Sequence, residues 1–396
     1  MLRKARPMRL SRTDRSLLAE WWFTIDRQLC AAILILIAVG FMLSLAASPA
    51  VALHKGLGTL YFVKRHAIFA IAAIPVLLSI SFLQPAQIRR VSLFLFITML
   101  ALMAYVLWTG PEINGARRWV SFAGQQLQPS ELLKPAFVIL SAWLLTQSAH
   151  RPDMPALPLA LGLYLLSAAA LVLQPDIGQT TLITLVWAAL FFVSGQPLRR
   201  MAILAAAATV AIGTAYATLP HVHSRIDRFL NPAAGDTYQM DRARQSIIEG
   251  GLLGRGPGEG QLKMALPDAH TDYVLAVIAE EYGTLACLAL IGLFAFIVFR
   301  ALSRSWNQPD LFLRHAAMGL SLLFAIQMLI NVGVSAGLLP SKGMTLPFVS
   351  YGGSSMMGVA VSMGLLLAVT RRRPVAVARN DADAIDDLRS AMAVNG

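Results

Sequence analysis

The sequence predicts an all-α integral membrane protein: a bundle of about ten transmembrane helices with a long outer loop between the seventh and the eighth. Of its 396 residues, 57% are apolar and only 14% are charged, and the mean hydropathy is +0.62. Ordinary soluble domains carry about 25% charged residues. The composition alone therefore indicates a chain that lives in a bilayer.

Apolar segments of about 20 residues, the length of helix that crosses a hydrocarbon core of about 30 Å, recur along the chain. They are rich in Leu, Ala, Ile, Val and Phe and lack the polar and apolar alternation of barrel strands, so we expect helices. The predicted spans are residues 30–48, 66–83, 92–108, 131–148, 155–173, 179–195, 199–218, 273–299, 313–337 and 349–370.

The positions of Lys and Arg predict the orientation of these spans. More than half of the 33 basic residues fall on the inner side if the chain begins in the cytoplasm. Because short cytoplasmic loops are enriched in Lys and Arg, both termini should be cytoplasmic and residues 219–272 should lie outside. The net charge of +12 is explained by this bias, since basic residues on the inner side are attracted to anionic lipids of the inner leaflet. It therefore does not indicate nucleic acid binding.

The chain divides into a basic N-terminal tail (1–28), a polytopic membrane domain (29–372) and a C-terminal tail (373–396). Within the outer loop, residues 238–249 predict a short amphipathic helix followed by a glycine-rich turn. We expect its apolar face to lie on the membrane surface.

Carboxylates near the start of the eighth span are the first candidates for chemistry. Thr271 is a good N-cap, which places Asp272 in the first helical turn at the outer interface, where helix capping would also account for it. Glu280 lies about 12 Å further along the axis. A carboxylate at that depth is costly and should face a polar cavity or a partner. Glu281 points nearly opposite Asp272 and is expected to have a structural partner.

Further charges, Arg118, Glu131, Lys134 and Asp176, are predicted near the same outer side. Each alone is explained as an interfacial ion pair or a turn residue. With Asp272 they indicate a charged cavity flanked by lipid, because Arg and Lys bind phosphate and a carboxylate can accept a hydroxyl proton. Such a cavity suits a substrate with a pyrophosphate and a polyprenyl tail. A transporter for an amphiphilic anion fits the same residues equally well.

The remaining motifs give little indication of function. The run "GRGPGEG" at 254–260 lacks the Lys-Ser/Thr of a phosphate loop and is typical of a flexible turn. His221, His223 and Asp227 form an isolated H-x-H group that more often marks a polar loop than a metal site. Two cysteines, Cys30 and Cys287, lie in apolar spans and cannot form a disulfide framework.

Two long segments closely resemble signatures of the SEDS family (shape, elongation, division and sporulation proteins): "NVGVSAGLLPSKGMTLPFVSYGGSS" at 331–355 and "LPDAHTDYVLAVIAEEYG" at 266–283. Earlier in the chain, the motifs "GARRW", "QPSELLK" and "QPDIGQ" also resemble family motifs and occur in the family's order. The resemblance therefore covers roughly residues 30–372. Lys342 and Thr345 are more similar to the division branch of the family than to the elongation branch.

The resemblance implies an inverting peptidoglycan glycosyltransferase that polymerises lipid II in the bacterial inner membrane, at the division septum. The family's essential aspartate corresponds to Asp272, the implied general base. We assign Arg118, Lys134 and Lys342 to the pyrophosphate of the substrate. The residues assigned to orienting these cations or lining the cavity are Glu131, Asp176 and Glu280.

The resemblance also implies partners. They are lipid II, undecaprenyl pyrophosphate, membrane lipids, a class B penicillin-binding protein (an FtsI-like transpeptidase) and other divisome proteins, with no nucleic acid. We assign no cofactor. A divalent cation could bridge the pyrophosphate and a carboxylate, but the sequence contains no motif of metal ligands for it. Two further functions also stay open: a flippase for lipid-linked precursors, which needs no base at Asp272, and a non-catalytic divisome scaffold.

Overall fold

The computed structural model describes residues 16–372 except 114, 123–124, 152, 219–222, 224–226, 228–237, 267–268 and 341–342. Within that part the chain forms twelve α-helices, one short 3-10 turn and one two-stranded hairpin. Residues 27–370 form one compact unit. The described residues up to Asp26 form a second unit with Arg371 and Arg372.

The small unit contains α1 (Leu17–Thr24). The helices of the large unit are α2 (Arg27–His54), α3 (Tyr61–Ser81), α4 (Pro85–Thr109), α5 (Pro129–His150), α6 (Ala156–Leu173), α7 (Ile177–Val193), α8 (Leu198–Thr218), α9 (Tyr238–Gly250), α10 (Val274–Trp306), α11 (Leu311–Ser335) and α12 (Gly353–Val369). The strands are β1 (Val120–Phe122) and β2 (Gln125–Leu127), and the 3-10 turn is Leu262–Ala265.

A helix lies at each of the ten predicted spans, and the helical membrane fold is confirmed. Seven of the helices, α2 to α6 with α10 and α11, are by themselves long and apolar enough to cross a membrane. Two more, α7 and α12, are apolar but shorter. The number of ten crossings stays a prediction.

Helix α5 lies at the centre of the bundle. It packs against α4, α6, α7, α11 and α12, and most of its residues are buried. The outer helices expose large apolar side chains instead, such as Phe94 of α4 at 74% and Phe299 of α10 at 71%. Lipid tails are as apolar as these side chains, so the side chains can face the membrane without an energetic cost.

Small residues allow the buried helices to approach closely. Helix α12 packs against α3 at Gly364, where an added Cβ would lie 2.7 Å from the Leu77 carbonyl oxygen. Gly40 of α2 likewise lies against the Phe348 carbonyl, 2.2 Å from the position of a Cβ. The backbones are therefore in contact, as is common between membrane helices.

The hairpin between α4 and α5 was not predicted, and it is the exception to the all-α description. Val120 pairs with Leu127 in an antiparallel register. The Ser354 hydroxyl at the start of α12 donates to the Gln126 carbonyl at 3.0 Å and accepts from the Gln128 backbone N–H at 2.9 Å. The hairpin is thereby joined to the end of α12, beside the first turn of α5.

Helix α10 is interrupted at Gly283, which has φ 81° and ψ 172°. The 251–256 loop after α9 fills the interruption. The Thr284 and Leu285 backbone N–H groups donate to carbonyls of this loop at 2.9 and 3.2 Å, and the Glu280 and Glu281 carbonyls accept from its N–H groups at 2.9 and 3.0 Å. A break inside an apolar helix is tolerated because its freed backbone groups find these partners.

Helix α9 agrees with the predicted amphipathic helix at 238–249. It packs against α10, and among the apolar residues at 238–252 Met240 and Ile247 are partly buried. Ile248 and Leu252 stay exposed at 68% and 69%. Contact of these two side chains with the membrane surface stays a prediction.

Replacing Gly364 by Ala should destabilise the protein by about 1–3 kcal/mol, because the new methyl group would overlap the α3 backbone. Gly162 of α6 is the matched control, since a Cβ there meets no atom within 4 Å. Gly162→Ala should leave stability unchanged or raise it by up to about 1 kcal/mol through helix propensity. Thermal unfolding in detergent measures both, and equal midpoints would contradict the packing at Gly364.

Candidate functional site

Arg118 follows the Ile113–Ala116 bridge and binds the turn between α6 and α7. Its guanidinium donates to the Gln174 carbonyl at 2.9 Å and to the Pro175 carbonyl at 2.5 Å. It also lies 3.8 Å from the Asp176 carboxylate. The structure therefore brings Arg118 and Asp176 together, with most of the guanidinium's contacts made to backbone.

Asp176 is the N-cap of α7 and is buried. One carboxylate oxygen accepts from the Gln179 backbone N–H at 3.2 Å, and the other accepts from the Gln128 side-chain amide at 3.2 Å. Burial raises the pKa of Asp176 above its ordinary value, and the charge of Arg118 opposes this shift. Asp176 thus has the ion pair and the turn position considered from the sequence, and it also caps α7 within a buried polar cluster.

Glu131 and Lys134 lie one turn apart on α5, and each residue is only 3% exposed. The Lys134 Nζ is 2.8 Å from one Glu131 oxygen. The other oxygen accepts from the Gln179 side-chain amide of α7 at 2.7 Å, and Lys134 also donates to the Gln327 amide oxygen of α11 at 3.4 Å. This buried ion pair therefore joins α5 to two neighbouring helices.

Helix α11 connects this pair to the segment before α12. Gln327 donates to the Thr345 carbonyl at 3.1 Å, and Asn331, one turn later, donates to the Met344 carbonyl at 2.6 Å. The beginning of the described stretch 343–351 is thus bound to one face of α11.

The same helix face binds the loop that carries Asp272. Asn331 and Ser335 donate to the Asp272 carbonyl at 3.1 and 3.4 Å. From the 343–351 stretch, the Ser350 hydroxyl donates to the Thr271 carbonyl at 2.5 Å. Two polar groups of α11 and one of the following segment therefore hold the backbone on either side of this carboxylate.

Asp272 does not occupy the first turn of the helix, so that prediction was wrong. The helix begins at Val274 with Tyr273 as its N-cap. The described residues 269–273 before the helix form a turn, and the Thr271 carbonyl accepts from the Ser350 hydroxyl. The hydrogen bonds from α11, which the local sequence does not reveal, hold this turn open.

Glu280 and Glu281 are almost fully buried, at 0% and 1% exposure. The two Glu280 oxygens accept from the Leu262 and Lys263 backbone N–H groups at 2.7 and 3.0 Å. Glu281 pairs with the Lys263 ammonium group. Glu281 therefore has the structural partner expected of it, and Glu280 binds backbone of the loop before Asp272.

Lys342, together with Asp268 and His221, lies outside the described residues. Its neighbour Gly343 passes close to the predicted base, since a Cβ on Gly343 would lie 3.9 Å from an Asp272 carboxylate oxygen. Thr345, the other residue of the division-like motif, shares a 2.5 Å hydrogen bond with the Ser355 hydroxyl.

The polar side chains that connect the charges were not predicted from the sequence. Gln327, Asn331 and Ser335 recur every four residues in an apolar span, which places them on one face of a helix. That spacing was a readable signal. Gln128 and Gln179 offered none beyond their places in the "QPSELLK" and "QPDIGQ" motifs, because their partners lie on other helices.

Within the described ranges, no three or more His, Cys, Asp or Glu side chains lie close enough to hold a metal ion. His223 instead pairs with Asp227 at 2.8 Å, and Asp227 accepts from the Tyr216 hydroxyl at 2.8 Å.

The fold and the site define a polytopic helical membrane protein in which a buried ion pair on α5 and the loop before α10 are both hydrogen-bonded to one face of α11. The FtsW/RodA/SpoVE family of cell cycle proteins matches residues 27–374, and the chain belongs to that family. The resemblance to SEDS proteins is therefore confirmed.

Relatives include the probable peptidoglycan glycosyltransferase FtsW of Caulobacter vibrioides, 43% identical, with the alignment covering 92% of this chain and 94% of the relative. The protein of the same name from Acinetobacter baylyi is 34% identical over 87% and 89% of the two chains. These names agree with the division branch of the family.

Solved structures agree with the fold. A chain from the study "Structural coordination of polymerization and crosslinking by a peptidoglycan synthase complex" has a TM-score of 0.74 and 27% identity, covering 88% of this chain and 98% of that one. The rod shape determining protein RodA of Thermus thermophilus has a TM-score of 0.63 and 25% identity, covering 89% and 99%.

Acidification should destabilise the loop before Asp272 through His270. Its ring lies between Phe62 and Tyr351, with centroid distances of 4.8 and 5.4 Å, and burial, assisted by the charge of Lys55, lowers its pKa from 6.5 to about 4. Between these values the unfolded chain takes up a proton that the folded protein does not, so stability falls as the pH falls. The expected loss at pH 5 is on the order of 2 kcal/mol.

His270→Phe should remove this part of the pH dependence. Unfolding midpoints in detergent at pH 7 and pH 5 measure it, with His223→Phe as control because that ring is 52% exposed. If wild type and His270→Phe lose equal stability on acidification, the lowered pKa is contradicted.

Proposed function

We propose that this protein polymerises lipid II into glycan strands at the division septum, as an inverting peptidoglycan glycosyltransferase. The names of its FtsW relatives support the activity. The observation that carries the proposal is that the loop with Asp272 and the buried Glu131–Lys134 pair are both connected through α11 to the 343–351 segment. A base and a phosphate-binding cation are thereby attached to one framework.

In the proposed reaction Asp272 is the general base. It takes the proton from the 4-hydroxyl of the acceptor lipid II while that oxygen attacks the anomeric carbon of the growing lipid-linked strand. The bond from this carbon to the pyrophosphate breaks, and undecaprenyl pyrophosphate leaves with the electron pair. A single displacement inverts the anomeric centre, so one carboxylate suffices without the close pair of a retaining enzyme.

Lys134, Arg118 and Lys342 are proposed to bind the pyrophosphate. Lys134 and Arg118 already lie beside Glu131 and Asp176, at 2.8 and 3.8 Å. The carboxylates hold the cations in place before substrate arrives, which favours stabilisation of the charge that develops on the leaving group. We assign Glu131 and Asp176 to this orienting role.

We further propose that the protein lies in the inner membrane with both termini in the cytoplasm and the 219–272 loop outside. Arg371, just after α12, lies 3.2 Å from the Glu20 carboxylate and donates to the Thr24 hydroxyl at 2.9 Å. This contact supports the proposal that the chain enters and leaves the membrane on one side, for which an even number of crossings such as ten is needed. Residues 1–28 and 373–396 would be the two tails of a membrane domain at 29–372.

The proposed partner is a class B penicillin-binding protein that crosslinks the new strands, with other divisome proteins. The similarity to a chain from a peptidoglycan synthase complex supports a partner of this kind. Exposed apolar helix surfaces offer area for a partner's membrane segment.

Asp272→Ala should abolish polymerisation. The test supplies lipid II to the protein purified with its partner transpeptidase, free of other polymerases, and follows glycan strands on gels. A loss of at least about a hundredfold is expected when the general base is removed. Undiminished polymer would contradict the proposal, and translocation of lipid II without polymer would indicate a flippase instead.

Lys134→Ala should weaken the use of substrate more than it lowers the amount of folded, membrane-inserted protein, although leaving Glu131 unpaired also destabilises the fold. A charge-assisted contact to phosphate is worth about 1.5–3 kcal/mol, so kcat/KM for lipid II should fall by about tenfold to a hundredfold. Lys64→Ala, which removes an exposed lysine of α3, is the control and should keep wild-type values. A parallel loss of membrane-inserted protein and of activity would instead mean that the buried pair serves folding alone.

A further inference from the structure

Glu280, Glu281 and Lys263 tie the loop before Asp272 to the interrupted part of α10. We infer that this group, the loop clamp, positions the catalytic base without touching substrate. The inference rests on the proposed function, since it concerns the placement of Asp272. It also changes the role of Glu280, which the sequence analysis assigned to orienting the cations or lining the cavity.

The first support is that both Glu280 oxygens are used by the loop. They accept from two successive backbone N–H groups, those of Leu262 and Lys263, and the residue is 0% exposed. A carboxylate is well suited to this, because it is a pure acceptor with two oxygens. Because Glu280 is fully buried, its oxygens are not accessible to a substrate.

The second support is the ion pair beside it. The Lys263 ammonium group binds Glu281 and also donates to the Gly258 carbonyl at 3.3 Å. Lys263 and Glu281 are 7% and 1% exposed. Breaking a buried pair of this kind leaves a charge without compensation, so the pair strongly favours one arrangement of the loop.

The third support is the close fit of the two backbones. Gly254 has φ +80°, and a Cβ there would lie 2.3 Å from the Glu281 carbonyl oxygen. Gly283 has φ +81°, and its Cβ would lie 2.3 Å from the Leu252 carbonyl oxygen. Both positions require glycine for conformation and for space. The loop and the break in α10 therefore form one interlocked unit.

The contacts between Lys263, Glu280 and Glu281 close a short loop of chain, and this loop contains Asp272. Asp272 lies nine residues after Lys263 and eight residues before Glu280. Across this loop, Asn331 and Ser335 bind the Asp272 carbonyl. A base held from both sides keeps its distance to the acceptor hydroxyl, and a displacement of about 1 Å at a reacting group can cost a hundredfold in rate.

The decisive variant is Glu280→Gln, which keeps the size of the side chain but turns an N–H donor toward one of the two backbone N–H groups. We expect kcat for lipid II polymerisation to fall by at least about tenfold, with KM within about twofold of wild type. The matched control is Glu249→Gln at the end of α9, where Glu249 makes a 2.5 Å pair with Arg255 and its side chain is 28% exposed. This control should keep wild-type kinetics.

A second pair of variants separates geometry from folding. Lys263→Met should lose kcat as Glu280→Gln does, and Lys263→Arg, which keeps the charge, should recover most of it. All rates are expressed per molecule of monodisperse, folded protein in complex with the partner transpeptidase. If Lys263→Met does not fold, the comparison of Glu280→Gln with Glu249→Gln still decides the inference.

Equal kcat values for Glu280→Gln and Glu249→Gln would overturn the clamp while leaving the proposed function intact, provided that Asp272→Ala is inactive. A raised KM with unchanged kcat would overturn it too, because it would indicate a direct substrate contact. An active Asp272→Ala variant would refute the general base itself, and the clamp with it.

Discussion

The interruption of α10 at Gly283 is the constraint on which the outer part of the structure depends. An apolar helix that breaks must find new partners for the backbone groups it frees, since lipid offers none. The 251–256 loop supplies them by hydrogen bonding to residues on both sides of the break. The extended loop between α9 and α10 is thus ordered against a membrane helix, and the turn with Asp272 is placed relative to the bundle.

Charge is buried at this end of the bundle in compensated form. Glu131 pairs with Lys134, and Glu281 with Lys263, while Asp176 lies beside Arg118. Buried pairs contribute little to net stability compared with apolar side chains of similar size, but losing one partner is costly. Their value here is conformational. The Arg118–Asp176 and Lys263–Glu281 pairs join separate elements, and the Glu131–Lys134 pair within α5 contacts α7 and α11 through Gln179 and Gln327. This arrangement suits a site whose substrate brings its own negative charge.

Much of the fold was predictable, because apolar length and composition identify membrane helices one segment at a time. The gathering of Arg118 with Asp176 and of Glu131 with Lys134 also followed from their expected position near one leaflet. The interruption at Gly283 did not, since a single glycine inside an apolar run leaves the pattern unchanged. The turn that holds Asp272 outside the helix depends on donors from α11, and no local pattern contains them. The hairpin after α4 was too short to show alternation.

The most direct test of this account is the structure of Asp272→Asn with its partner transpeptidase and bound lipid II. If Asp272 is the general base, the side chain at position 272 will lie within about 3.2 Å of the acceptor 4-hydroxyl. The donor pyrophosphate will lie against Lys134. An acceptor hydroxyl far from position 272, or a pyrophosphate bound away from Lys134, would contradict the account.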